Sequence, residues 1–182
     1  NLSAEEIFEQ ARFLIEDAGL EGKSMDHVEV SFMGMGEPLA NRENLLAALE
    51  AIHGRYPEIS RVSISTAGPS HRIEALTSLM PAAIPVHLQI SLHATEDATR
   101  RQLIPNAPDT ISNILEAGKR CHQATGDRVC LNYILLRGLN DRPPDAQWLA
   151  DLDPRAFYLK LAALNSVDGM PADLTGLTEG EL

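Results

Sequence analysis

The sequence predicts an α/β protein built on a parallel sheet, and three observations support this. Aromatic residues make up only 4% of the 182 residues, which argues against an all-β sandwich. Short apolar segments alternate with amphipathic segments of helical period. The repeat length is roughly 25–40 residues, the size of one βα unit. Strands that are joined by helical crossovers should be parallel, with right-handed connections. An open doubly wound sheet and part of a (β/α) barrel both accommodate the pattern.

Five segments have helical period. The first has a capping box formed by Ser3 and Glu6, and Gly19 suits its end. Asn41 is a plausible cap for the second helix, and Gly126 closes the fourth. Apolar residues share one face of the first helix at positions Ile7, Ala11, Leu14 and Ala18. The predicted helices cover residues 1–20, 41–56, 70–80, 109–126 and 143–152.

Five strands alternate with these helices, at residues 26–33, 61–68, 85–94, 128–138 and 156–164. The first helix has no strand before it, so we expect a βα unit whose strand precedes Asn1. The tail, residues 167–182, is rich in Gly, Pro and acidic residues with little periodicity. We expect one core over residues 1–166, followed by a loosely ordered tail.

Composition and charge exclude several functional classes. No run of 18 apolar residues exists, so no membrane span is expected. The formal net charge of −11 argues against a large nucleic-acid footprint, which requires clustered Lys and Arg. Cys121 and Cys130 form neither a disulfide framework nor a zinc-binding pattern. We expect a cytoplasmic protein with two reduced cysteines.

Small and polar residues follow all five strands, at the edge where parallel α/β folds bind ligands. They are Gly34, Gly36, Glu37 and Pro38, then Ser65 and Thr66, then Ser91, Leu92 and His93, then Asn140 and Asp141, and finally Asn165 and Ser166. Each group alone also suits an ordinary turn. Because all five groups are expected at the same edge of the sheet (the rim), together they favour a ligand-binding site.

Five segments occur in an order that resembles the radical S-adenosylmethionine (radical SAM) enzymes. They are VSFMGMGEPLANRENLLAAL, VSISTAG, LQISLHA, NYILLRGLND and LAALN. The resemblance covers residues 1–166 and is greatest to the ribosomal-RNA adenine methyltransferase branch. It implies a partial parallel (β/α) barrel whose first strand and cluster loop are absent from this chain.

The resemblance implies roles for the rim residues. Gly36 and Glu37 would hold the amino group of S-adenosylmethionine (SAM), and Ser65 its methionine or ribose portion. The ribose and adenine side would be lined by Ser91, the backbone of Leu92, and His93, with Asn165 at the adenine end. The implied reaction is reductive cleavage of SAM, followed by hydrogen abstraction or methyl transfer.

The same resemblance implies a [4Fe–4S] cluster on a CxxxCxxC loop and an electron donor such as flavodoxin or ferredoxin. This sequence has no such motif, because Cys121 and Cys130 lie nine residues apart. We expect the cluster loop to precede Asn1, so that this fragment alone is inactive. A relative that has lost its cluster is the other explanation.

Three features argue against RNA as the substrate that the branch implies. The net charge is −11, the segment RRQLIPNAPDT turns acidic, and Asn165 is followed by Ser instead of Pro. Arg100, Arg101 and Arg137 are either anion ligands or solvated loop residues. The alternative function is a cluster-less module that binds a nucleoside or a partner. A hydrolase using Glu37 and His93 is disfavoured, because the sequence has no nucleophile elbow.

Overall fold

Shorter segments within the five predicted strand ranges form a five-stranded sheet in the described part of the chain. The computed structural model describes residues 1–20, 23, 28–33, 36–79, 86–107, 109–165, 174–177 and 180. The strands are β1 (Glu29–Phe32), β2 (Arg61–Thr66), β3 (Val86–Ser91), β4 (Val129–Ile134) and β5 (Phe157–Ala162). The helices are α1 (Ala4–Asp17), α2 (Arg42–Arg55), α3 (Ser70–Leu79), α4 (Asp97–Leu103), α5 (Ile111–Thr125) and α6 (Pro143–Ala150), with a 3-10 turn at Pro38–Asn41.

The strand order decides between the two predicted architectures. All four pairings are parallel, and the order across the sheet is β1-β2-β3-β4-β5. A doubly wound sheet reverses its strand order at a switch point, whereas a barrel adds each strand beside the last. The prediction of a partial (β/α) barrel is therefore confirmed.

One face of the sheet is apolar and carries the core. Alternate strand residues point to the same face, and on this face they include Ile64, Leu88, Ile90 and Leu131. They belong to one buried cluster with residues of α2, α3 and α5. Helix α1 packs on α2, and α3 packs on α5.

The opposite face of the sheet is polar. Its strand residues include Ser63 and Ser65 of β2, His87, Gln89 and Ser91 of β3, Cys130 and Asn132 of β4, and Tyr158 and Lys160 of β5. We call this set the polar face. Hydroxyl, amide and ammonium groups in alternating positions give the sheet a side suited to a polar ligand.

The helix predictions were correct in outline and wrong in three details. The capping box is confirmed, with Glu6 N–H to Ser3 Oγ at 3.2 Å and Ser3 N–H to Glu6 Oε2 at 2.8 Å. Leu14 is 64% exposed, because Ala11 and Ile15 are the residues that face the core. Asn41 is at the N-cap position of α2, but its side chain makes no capping hydrogen bond; its Nδ2 donates to the Leu2 carbonyl at 2.7 Å. Helix α4 was not predicted, since it is short and has no apolar period.

Part of the tail lies against the loop after β4. The Arg137 N–H donates to the Thr175 carbonyl at 2.8 Å, and the Leu177 N–H donates to the Leu135 carbonyl at 3.4 Å. Gly34 and residues 166–173 lie outside the described residues, so the looser tail stays a prediction. Among the described helices, none has the length and hydropathy needed to cross a membrane.

Candidate cofactor site

Glu37 joins the loop after β1 to the loop after β2. Its Oε1 accepts from the Leu39 N–H at 3.0 Å and from the Thr66 hydroxyl at 2.7 Å. Its Oε2 accepts from the Ala67 N–H at 2.8 Å. Three donors therefore hold the carboxylate, and the Glu37 carbonyl accepts from the Ala40 N–H at 2.9 Å, so both the side chain and the backbone of Glu37 fix the turn.

Gly36 has a φ of +101°, a region that L side chains rarely adopt. An added Cβ would meet nothing within 4 Å, so backbone conformation and not space requires glycine here. The sequence analysis takes glycine here to permit both a positive φ and close backbone approach to a ligand. The positive φ is confirmed, and it requires glycine with or without a ligand.

Arg100 joins the loop after β2 to the end of β3. Its side chain is 2% exposed, and its Nη2 donates to the Ser91 carbonyl at 3.1 Å and to the Ala67 carbonyl. Burial lowers the pKa of the guanidinium, and Asp97 and Asp109 oppose that shift. Neither sequence interpretation of Arg100 was correct, because it is a buried brace and not an exposed ligand.

His93 is held in a strained conformation at the carboxyl end of β3. Its φ is +56°, and it is the one described non-glycine residue with a positive φ. Its Nδ1 accepts from the Ile134 N–H at 3.2 Å, which places the proton of the neutral ring on Nε2. Burial, together with the charge of Arg100, lowers its pKa to about 4. The ring is therefore neutral at pH 7 and able to donate from Nε2.

Asn140 fixes the backbone around His93. The amide Nδ2 donates to the carbonyls of His93 at 2.7 Å and Ile134 at 2.9 Å, and Oδ1 accepts from the Leu136 N–H at 2.7 Å. The sequence suggested only a turn residue. A buried Asn that spans two strand-end loops explains how His93 keeps a conformation that would otherwise be costly.

Pairing between the strands places residues of the polar face in two rows across the sheet, near the carboxyl ends of the strands. Ser65 lies beside Gln89, and Ser91 lies beside Asn132, which lies beside Lys160. The Asn132 Nδ2 donates to Gln89 Oε1 at 3.4 Å. The Ser65 hydroxyl is buried and has no hydrogen-bond partner in the described structure. Buried polar atoms are nearly always paired, so this hydroxyl is suited to a ligand.

Sequence reasoning missed Gln89, Asn132 and Lys160, which share the polar face with Ser65 and Ser91. Strand alternation was the signal that could have found them, because each lies two residues from another polar residue in HLQIS, VCLNYI or YLKLA. Of the predicted residues, Gly36, Glu37, Ser65, Ser91, Leu92 and His93 lie on the adjoining ends of β1, β2 and β3. Asn165 lies three residues beyond β5, exposed and without a hydrogen bond to another described residue.

The two cysteines are buried free thiols, as expected. Burial raises the pKa of both, which disfavours the thiolate form that metal binding requires. Cys121 lies on α5 in the core, and Cys130 lies on the polar face. Within the described ranges, no group of three His, Cys, Asp or Glu side chains is arranged to hold a metal. These residues do not fit a [4Fe–4S] cluster.

Residues 1–146 match the family model of the Radical SAM superfamily. The chain belongs to the radical SAM superfamily.

The chain is similar to two curated relatives and to one solved structure. The probable dual-specificity RNA methyltransferase RlmN of Mycobacterium tuberculosis (strain ATCC 25618 / H37Rv) is 38% identical over 182 residues, covering 96% of this chain and 48% of the relative. The protein of the same name from Rhodopirellula baltica is 35% identical over 176 residues, covering 94% and 46%. A radical SAM methyltransferase from Sphaerobacter thermophilus has a TM-score of 0.83 at 28% identity, covering 100% of this chain and 52% of that one. The chain spans about half the length of these relatives.

Proposed function

We propose that the protein containing this chain is a radical SAM methyltransferase that acts on RNA, and that this chain binds SAM. One observation carries the proposal: the unpaired buried hydroxyl of Ser65 lies on the polar face, on the strand between the Gly36–Glu37 turn and the Ser91–His93 segment. Both curated relatives and the structural neighbour are methyltransferases by name. This favours the enzyme over the cluster-less binding module.

The proposed roles follow from the chemistry of each group. Backbone carbonyls of the Gly36–Glu37 turn accept from the SAM ammonium, and the Ser65 hydroxyl bonds the methionine or ribose portion. Ser91, the Leu92 backbone and His93 line the ribose and adenine. Neutral His93 donates from Nε2 to an acceptor there, and Asn165 bonds the adenine. Fixed hydrogen-bond donors and acceptors in a partly apolar pocket, here at the carboxyl ends of the strands, are typical of cofactor sites.

The [4Fe–4S] cluster that the superfamily uses has no ligands among the described residues. In our proposal its three cysteines lie outside this chain, and the cluster supplies the electron for cleavage of SAM. An electron donor of the flavodoxin or ferredoxin class would reduce it. The protein positions the cofactor and excludes water from it.

The decisive experiment uses the complete protein, purified without oxygen. We expect about four irons per chain, and 5′-deoxyadenosine or S-adenosylhomocysteine after addition of dithionite, SAM and RNA. The 182-residue chain alone is the control, and it should bind no iron and form neither product. Iron-free complete protein that leaves SAM intact would refute the enzyme.

A Ser65→Ala variant tests the site itself. We expect the complete variant to keep its iron and to bind SAM about tenfold more weakly, because one hydrogen bond is lost. Ser60→Ala, an exposed change on the approach to β2, is the matched control. Equal SAM affinity in both variants would remove Ser65 from the site.

A further inference from the structure

A cleft of about 420 Å³ lies beside the candidate cofactor site. It is bounded by the start of α2 and the start of α3, which follow the loops after β1 and β2. Leu39 lines the cleft and donates its N–H to Glu37, so the cleft borders the Gly36–Glu37 turn. Its lining consists of Asn1, Leu39, Ala40, Asn41, Arg42, Glu43, Asn44, His71 and Arg72.

The two arginines in this cleft have no side-chain partner among the described residues. Neither Arg42 nor Arg72 forms a side-chain hydrogen bond or an ion pair with any residue in the described ranges. The Arg42 Nε is also buried from solvent without a partner. Four arginines outside the cleft do pair with carboxylates: Arg12, Arg120, Arg142 and Arg155.

The position of these arginines costs stability. Arg42 is the first residue of α2, and Arg72 is the third residue of α3. A helix N-terminus carries partial positive charge, so a cation there is unfavourable by about 0.3–1 kcal/mol. An anion bound between the two helix starts would remove that cost. Helix stability therefore does not explain these residues.

We propose that this cleft binds a phosphate of the RNA backbone beside the cofactor site. The inference rests on the proposed function and adds the place where the substrate is held. Arg42 and Arg72 would grip phosphate oxygens with paired N–H groups, and Asn44 and His71 would add weaker donors. Two arginines face one glutamate, Glu43, so this cleft is basic although the chain carries −11. The net charge of the chain argued against RNA as a substrate, but RNA can bind at a cleft that is itself basic.

The test measures RNA affinity of the complete protein against salt concentration. A fluorescein-labelled RNA hairpin is titrated with wild type and with the double variant Arg42→Gln/Arg72→Gln, by fluorescence anisotropy. Each lost phosphate contact lowers the slope of log K against log salt by about 1. We expect the slope of the double variant to fall by about 2 and its affinity by roughly tenfold or more.

Two single variants serve as controls. Lys119→Gln removes one charge from the exposed surface of α5, away from the cleft, and should leave the slope unchanged. Glu43→Gln removes the acid from the cleft and should tighten RNA binding. The melting temperature of the double variant should be equal or higher, because two cations leave helix N-termini. A slope change in Lys119→Gln equal to that of the double variant would overturn the proposal.

Further measurements distinguish free phosphate from RNA as the ligand, and distinguish failure of the cleft proposal from failure of the proposed function. Sodium phosphate should compete with RNA better than sodium chloride of equal ionic strength in wild type only. Phosphate binding that depends on both arginines, with unchanged RNA binding, would mean a free-phosphate site and overturn the RNA assignment. SAM cleavage without RNA should be unchanged in the double variant. Wild-type cleavage with unaltered RNA binding in the variant refutes the cleft alone, whereas absent wild-type cleavage refutes the proposed function.

Discussion

At the candidate cofactor site, three side chains hold the backbone of the strand-end loops in place. Glu37, Arg100 and Asn140 each bond two different strand-end loops. The ligand-facing groups in our proposal are mostly backbone atoms and small side chains, which have little means of fixing themselves. Their precision therefore depends on these three residues.

Glu37→Gln tests this dependence. The amide would place a donor opposite the Ala67 N–H or sacrifice the bonds to Leu39 and Thr66. We expect a loss of about 1–3 kcal/mol in the free energy of unfolding, and weaker SAM binding in the complete protein. Urea denaturation and equilibrium dialysis measure the two effects. Glu50→Gln, exposed on α2, should change stability by less than about 0.5 kcal/mol; an equal loss there would contradict the role of Glu37.

His93 should make stability depend on pH. The unfolded ring titrates near 6.5, whereas the pKa of the folded ring is about 4. Between these values the unfolded state binds more protons, so stability is full above about pH 6.5 and falls toward pH 4. The loss is at most about 3–4 kcal/mol.

His93→Asn should flatten this dependence. Asn tolerates positive φ, and its Oδ1 can accept from the Ile134 N–H, but it does not titrate. Urea denaturation of both proteins at intervals from pH 4 to 7 gives the difference. Parallel pH profiles would show that His93 is not the source.

At the scale of elements, α4 is held in position by two of its residues: Arg100, which bonds to the sheet ends, and Asp97, whose Oδ1 accepts from the Ile111 N–H at 2.7 Å. The helix has seven residues and too little apolar surface to be stable alone. Arg100 extends from it beneath the ends of β2 and β3. The role of Arg100 could not be predicted from the sequence, because Arg100 and Arg101 are chemically identical. Only the fold makes Arg100 buried and Arg101 exposed.

Arg100→Met and Arg101→Met form a matched pair on this helix. Arg100→Met leaves the carbonyls of Ala67 and Ser91 without their donor, and should cost at least about 2 kcal/mol. Arg101→Met should cost less than about 0.5 kcal/mol. Hydrogen exchange at residues 65–68 and 91–94 should rise only in the first. Similar exchange in both variants would mean that α4 does not brace the site.

For the whole molecule, sequence periodicity predicted the five strands and five of the six α-helices of the described residues, and also the parallel class. It left two architectures open, because strand order depends on where helices pack and not on local period. The rim loops were predicted, since ligand-facing ends of parallel strands are general to such folds. The bonds that organise them were not, because Glu37 with Ala67 and Asn140 with His93 join residues distant in sequence. Such contacts appear only once the chain is folded.

The strictly consecutive strand order has a consequence for synthesis. Each strand from β2 to β5 pairs with the strand translated just before it. A new βα unit can therefore dock as soon as it leaves the ribosome, onto an edge that is already in place, without waiting for distant sequence. The order in which the protein is made is the order in which its sheet can grow.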